Sequence, residues 1–283
     1  MRKLAIIVLL SISYITSNAQ LRLGVFGGLA NYQGDLTDKL FLKPKAAIGI
    51  TASLPVSERF SLRAGLTFAK VQGADSLSKS DVLKLRNLSF QSPITEFSLL
   101  GEFTVFNLDR IRWSPYIFGG IAIYHFDPYT YDTRGNQIFL RGLGTEGQGL
   151  QGYPDAPYSL TQFAIPFGGG FKYAISDKVQ LGLEIGLRKL FTDHLDDVSG
   201  NYADANDLLA NHGPIAVDIA YRSDEVGGNP DFPAKGTQRG SPKYKDFYYF
   251  TGLHLTFQLG EGGDGLFSGK GKKGGYGCPS VRL

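Results

Sequence analysis

Eight segments of this chain alternate apolar and polar residues with a period of two, and most run for nine residues or more. They lie near 21–31, 44–54, 59–70, 94–106, 114–126, 159–175, 178–191 and 246–259. A period of two sends successive side chains to opposite faces of a strand. Strands of soluble proteins usually stop at about five or six residues, whereas a tilted strand that crosses a bilayer needs about 9–11. Segment length therefore points to a membrane before any motif is considered.

The two faces differ in kind. In the last segment Phe247, Tyr249, Thr251, Leu253, Leu255 and Phe257 oppose Tyr248, Phe250, Gly252, His254, Thr256 and Gln258. In the third, Phe60, Leu62, Ala64, Leu66 and Phe68 oppose Ser61, Arg63, Gly65, Thr67 and Ala69. In the seventh, Val179, Leu181, Leu183, Ile185 and Leu187 oppose Gln180, Gly182, Glu184, Gly186 and Arg188. A soluble sandwich would expose long charged residues on its polar face. Here that face is crowded with small ones, as the inside of a narrow barrel requires. The stretch 116–126 is apolar on both faces, and its period does not orient it. Backbone groups cannot stay bare in lipid, so the strands must close on themselves.

Short connections (55–58, 107–113, 176–177) alternate with long ones (32–43, 71–93, 127–158, 192–245). The expected fold is all-β: an eight-stranded antiparallel transmembrane β-barrel, similar in size to OmpA, OmpX and OmpW, with long extracellular loops. Arg2 and Lys3 precede an apolar run at 4–10, and Ser17-Asn18-Ala19 reads as a cleavage site, so 1–19 is expected to be a secretory signal. The barrel is assigned to 20–259 and a Gly- and Lys-rich periplasmic tail to 260–283. The lone Cys278 excludes an internal disulfide framework, and a net charge of +3 gives no case for nucleic acid.

The inward faces supply Arg22, Arg63, Lys172 and Arg188 against Glu96, Glu102 and Glu184, with Gln162, Gln180, His254 and Gln258 among them. Unpaired, each charge would cost several kcal/mol to desolvate, so a paired polar plug is expected in place of an open pore. Aromatics form two candidate girdles, Phe60, Trp113, Tyr116, Tyr173 and Phe257 at one end and Tyr32, Phe68, Tyr124, Phe191 and Tyr249 at the other. Pro166 removes a ladder donor beside Gly168-Gly169-Gly170, and a bulge is expected there.

Chemistry is sparse. There is no G-x-S-x-G elbow to go with His125, His194, His212 and His254, so no enzyme is expected. Asp193, Asp196 and Asp197 around His194 offer oxygen ligands for Ca²⁺, but their spacing is not that of an EF-hand; a polar loop with Asx turns is the plainer reading. No metal and no cofactor are expected. The Gly-rich stretch 140–149 lacks the G-K-[ST] ending of a phosphate loop. Residues 204–211 read as a short surface helix. Lys270, Lys272, Lys273, Tyr276 and Cys278 make the tail the candidate surface for a protein partner or anionic lipid.

Several short motifs occur in a familiar order: Asn31-Tyr32-Gln33-Gly34-Asp35-Leu36, then 140–149, Tyr153-Pro154, Tyr158-Ser159, Ile165-Pro166-Phe167-Gly168 and 192–199. In these the chain resembles the PorG-like outer-membrane barrel proteins of the type IX secretion system of Bacteroidota. His194 departs from the resemblance, standing where a Tyr is expected. The resemblance implies an integral outer-membrane component surrounded by lipid and associated with the periplasmic ring proteins PorK and PorN. It also implies a part in protein secretion and, in gliding relatives, motility; it implies no catalytic residues. The alternatives kept beside it are a small-molecule channel or binding barrel resembling the OmpW type, and a lipid-modifying enzyme with a Ser beside a His.

Overall fold

The computed structural model describes residues 21–259 apart from Asp38, Pro230 and Tyr244. The signal at 1–19 and the tail at 260–283, with Lys270, Lys272, Lys273, Tyr276 and Cys278, lie outside the described residues. The strands are β1 (Arg22–Gln33), β2 (Lys45–Pro55), β3 (Phe60–Ala74), β4 (Ser89–Thr104), β5 (Trp113–Phe126), β6 (Tyr129–Tyr131), β7 (Gln137–Phe139), β8 (Thr161–Ala174), β9 (Val179–Leu190) and β10 (Phe247–Gln258). Three short helices, α1 (Asp81–Arg86), α2 (Ala205–His212) and α3 (Pro214–Ala220), lie in the connections.

The eight long strands pair antiparallel around a circle, and β1 closes it against β10 in continuous register from Arg22↔Gln258 to Gln33↔Phe247. The fold is an eight-stranded antiparallel transmembrane barrel, and each of the eight alternating segments became one of its strands. The small β6–β7 hairpin joins β4 at Gln91↔Tyr129. Three short turns gather at the end that holds the start of β1 and the finish of β10 (the turn end). Four long connections gather at the other (the loop end).

The outer wall is apolar all the way round. Ile48 is 63% exposed, Ile117 62% and Phe163 64%, and Leu62, Phe97, Leu183 and Leu253 are exposed with them. Outward positions carry no charged residue until Lys70 and Lys189, both near the loop end. A water-soluble monomer rarely exposes a contiguous apolar patch beyond a few hundred Å², so this belt suits lipid.

The neighbours of β5 settle its orientation. Tyr116, Phe118, Ala122, Tyr124 and Phe126 point inward, and Ile117, Ile121 and Ile123 point outward. The inward rings fit because the adjacent strands offer glycine. A Cβ on Gly168 or Gly186 would come within 2.8 Å of the Phe118 ring, and one on Gly170 would lie 2.0 Å from the Leu183 carbonyl and 3.0 Å from Tyr116.

Other expectations are corrected. Tyr116 and Tyr124 are not girdle residues but fill the lumen, and Tyr32 is buried at the loop end. Tyr249 faces outward yet is only 2% exposed, because the β1–β2 connection folds down over it: its hydroxyl accepts from the Phe41 amide at 2.6 Å and its ring meets Phe41 edge-on. The turn-end girdle holds at Phe60, Trp113 and Tyr173, with Trp113 paired to Tyr173. Pro166 makes no bulge. The β5–β8 ladder skips Gly120 and Ile121 and resumes at Ala122↔Ala164 in unchanged register, while Pro166 keeps its place opposite Arg188. The missing donor is absorbed as an interruption on one side only. β3 and β4 run past the apolar belt, pairing Val71–Ala74 with Ser89–Ser92 around buried Val71 and Phe90, so the expected loop 71–93 shrinks to 75–88.

Candidate functional site

Two polar assemblies fill the barrel from the turn end upward. In the lower one, Arg63 Nη1 donates to Glu184 Oε2 at 2.6 Å and lies 3.6 Å from Glu102. Lys172 pairs with Glu102, and the Tyr116 hydroxyl donates to Glu184 Oε2 at 2.7 Å. Arg63 also donates to His254 Nδ1 at 3.3 Å, which leaves His254 Nε2 to donate to Thr51 Oγ1 at 2.8 Å. In the upper one, Arg188 Nε and Nη2 hold both oxygens of Glu96 at 3.0 Å, and the Tyr248 hydroxyl adds a third bond at 2.8 Å. Three cations also sit on aromatic faces: Arg63 over Phe118, Lys172 over Tyr116 and Arg188 over Phe250. The alternation of the strands brings all these groups to one axis, and a bidentate Arg–carboxylate pair fixes their orientation.

Arg22 stands apart. It lies at the turn end, donates long bonds to Gln180 and Gln258 at 3.5 and 3.4 Å, and makes no ion pair among the described residues. Between the two assemblies a cavity of about 20 Å³ is bounded by Phe26, Thr51, Arg63, Glu184, Arg188 and His254. That is room for about one water molecule. From Phe250 at its upper wall, Tyr248, Tyr124 and Phe126 close the lumen with tilted, edge-on and stacked rings in turn.

At the loop end the sequence motifs meet. The Tyr32 hydroxyl lies 2.5 Å from Asp196 Oδ2 and 3.0 Å from Asp246 Oδ1. Gly34 is required beside it, since a Cβ there would lie 1.9 Å from Asp246 and 2.1 Å from the Tyr32 hydroxyl. Thr145 and Tyr158 both donate to Asp197, at 2.6 and 2.8 Å. Glu146 accepts from the amides of Ser199 and Gly200 and pairs with Arg239 at 2.9 Å. Stretches 31–36, 140–149, Tyr158 and 192–199 thus form one junction that fastens the loops to the barrel rim. Its apolar part, with Leu195, Val198, Leu208, Ala216 and Ile219, continues the core of the upper lumen.

The junction is short of compensating charge. Burial pushes the Asp193 and Asp197 carboxyls up to about 6, and in Asp197 the nearby Arg239 only partly offsets it. Burial likewise holds Asp196 and Asp246 well above the usual carboxylate range, and lowers His194. Asp193, Asp196 and Asp197 do not converge on a common centre. Asp193 accepts from Ser199, Asp196 from Tyr32 and the Val198 amide, and Asp197 from Thr145 and Tyr158. No grouping fit to hold a metal ion occurs among the described residues. His194 stacks on Tyr158 at 4.8 Å between ring centroids.

Residues 2–138 match the model of a family described as a domain of unknown function, DUF6089. No curated protein matches the chain. Among solved structures, Neisserial surface protein A is similar over 84% of this chain and 97% of its own, with 8% identity and a TM-score of 0.42. Ail, the attachment invasion locus protein of Yersinia pestis, is similar over 85% of this chain and 99% of its own, with 7% identity and a TM-score of 0.41. The outer membrane protein OprG of Pseudomonas aeruginosa is similar over 85% and 98%, with 9% identity and a TM-score of 0.41.

Sequence reasoning missed half of the junction. Arg86 clamps Asp75 through two bonds of 2.7 Å and also reaches the carbonyls of Asp35 and Arg239. Arg239 donates to the Asp197 carbonyl at 2.6 Å as well as to Glu146. Arg86 ends the six-residue helix α1 and Arg239 stands in a loop, and neither stretch is long enough to show a period that marks them. The expected helix at 204–211 appears as α2, capped by Asp204, which accepts from the Asn206 amide at 2.8 Å. The adjoining α3 begins with Pro214 at its first turn, where the fixed φ of proline suits a helix start.

Proposed function

We propose that this chain is a non-enzymatic outer-membrane barrel that serves as an anchor or adaptor of the type IX protein secretion machinery. Outer-membrane lipid surrounds its wall, and PorK- and PorN-like ring proteins are its periplasmic partners. One observation carries the reading. The lumen is occupied by two ion-paired assemblies with a cavity of about 20 Å³ between them and a recess of about 190 Å³ at the turn-end mouth beside Arg22 and Lys172, which together offer a cargo protein no bore. The work then falls to the outer surfaces of the barrel. The motifs at 31–36, 140–149 and 192–199 support the type IX assignment through their resemblance to PorG-like proteins, and they fasten a folded loop cap. In this reading the turn end and both barrel termini face the periplasm, and the loop end faces outside. The absence of catalysis is part of the proposal: His254 is bonded to Thr51 and Arg63 and His125 to Thr161, and among the described residues no histidine side chain is bonded to a serine.

Affinity purification from the native membrane tests the partner. The full chain is expected to bring ring proteins with it. A variant lacking 260–283 is expected to lose them while its barrel keeps the heat-sensitive gel mobility of a folded, inserted barrel. Unchanged recovery of ring proteins would reject the tail as the docking surface.

A further inference from the structure

The loop cap carries a cleft of about 460 Å³ that the lumen and the junction do not use. One wall is the turn at 132–134, between β6 and β7; the other is α3 with the chain that follows it. α3 buries Ala216, Ile219 and Ala220 in the cap core and leaves Ile215 and Val217 half-buried on the cleft side. The floor continues into Tyr221 and Phe232, whose rings meet at 5.7 Å and are both braced edge-on by Tyr202. These rings are held by packing from behind, so the apolar floor exists before any ligand arrives.

The charge lining this floor is one-sided. Among the described residues that line it, Asp132, Asp218, Asp224 and Glu225 face a single cation, Arg134. Two of the four are already engaged. Asp132 accepts from the Arg134 and Asn136 amides of its own turn, and Glu225 is held by Arg222 through two bonds of 3.0 Å. Asp218 and Asp224 are exposed and make no ion pair among the described residues. The volume falls within the range of about 300–1,000 Å³ typical of ligand sites. We propose that this cleft binds a basic, apolar segment of another polypeptide, with a Lys or Arg side chain against Asp218 and Asp224 and an adjacent apolar side chain on Val217, Tyr221 and Phe232. A cation beside Tyr221 and Phe232 gains from the ring faces as well. The same acidic lining repels headgroup phosphates, so the complementary ligand is a peptide cation and not the membrane surface. The cleft lies at the opposite end of the barrel from the finish of β10, and its occupancy does not depend on the secretion reading.

The experiment uses the purified full-length barrel in detergent and a dye-labelled Lys-Phe-Lys-Leu-Lys peptide, blocked at both ends, followed by fluorescence anisotropy. Saturable binding is expected, weakened by high salt and absent for the same peptide with Glu in place of Lys. Joint Asp218→Asn and Asp224→Asn substitution is expected to weaken binding about fivefold, as two exposed ion pairs allow. Joint Asp218→Glu and Asp224→Glu substitution is expected to retain it. Both positions are exposed, so the barrel fold is unaffected, and gel mobility checks this. No saturable binding to the wild type, equal binding by the Asn variant, or binding of the Glu peptide would overturn the proposal.

Discussion

At Arg63 the cost of burying a guanidinium is met by Glu184, Glu102, His254 and the face of Phe118. Removing one member strands the others, and breaking a buried pair typically costs about 3–5 kcal/mol. Arg63→Ala is therefore expected to lower the unfolding free energy of the barrel, read from urea titration in detergent, by that order. Arg63→Met combined with Glu184→Leu removes both charges, leaves Glu102 with Lys172, and is expected to recover most of the loss; a double variant no better than the single would contradict this reading of the pair. Gly170 sets a steric limit of a different kind. A Cβ there meets the Leu183 carbonyl at 2.0 Å, so Gly170→Val is expected to prevent refolding, seen as loss of the compact gel band. The inward positions of these residues were legible because alternation decides the face. Their pairing was not. Arg63 and Glu184 are 121 residues apart, and only the closure of the barrel and the register of β3, β4, β5, β8 and β9 bring them together.

The strands could be read and, beyond the helix α2, the contacts among the loops could not, for one physical reason. A strand in lipid must repeat every two residues, whereas the cap is built from contacts between distant stretches that leave no period. β5 sits between these cases. Its two faces were indistinguishable alone, and the glycines of β8 and β9 decided them. The cap yields its own prediction. The carboxyls of Asp193 and Asp197 stand at about 6 in the folded protein, above the unfolded value of about 3.9, and Asp196 and Asp246 stand well above it too. Between those values the folded cap binds more protons than the unfolded chain. The stability these groups contribute is therefore greatest below about pH 4 and falls as pH rises through about 6. Hydrogen exchange at 192–200, corrected for intrinsic rate, is expected to show stronger protection at about pH 5 than at about pH 8, while β9 and β10 change little. Tyr32→Phe removes the hydroxyl shared by Asp196 and Asp246 and is expected to speed exchange in the same segment at both pH values. Protection that rises with pH would contradict the placement of these carboxyls.

At the scale of the molecule, the apolar belt and the polar axis are one design. Each strand gives large apolar residues to lipid and small or charged ones to the interior, and eight strands leave an interior that side chains can fill. The length and alternation of the segments made this architecture legible. Nothing in the spacing of the charges showed how fully the axis would close, since that depends on Tyr116, Tyr124, Tyr248 and Phe250 pointing inward from faces that also look lipid-compatible. Electrical conductance through the purified barrel in a planar bilayer tests the sealed axis most directly. The two ion-paired assemblies, with a cavity of only about 20 Å³ between them, predict a flat current trace under applied voltage, for the full chain and for one lacking 260–283 alike. Reproducible, voltage-proportional current steps from the folded wild-type barrel would contradict the account and favour a small-molecule channel.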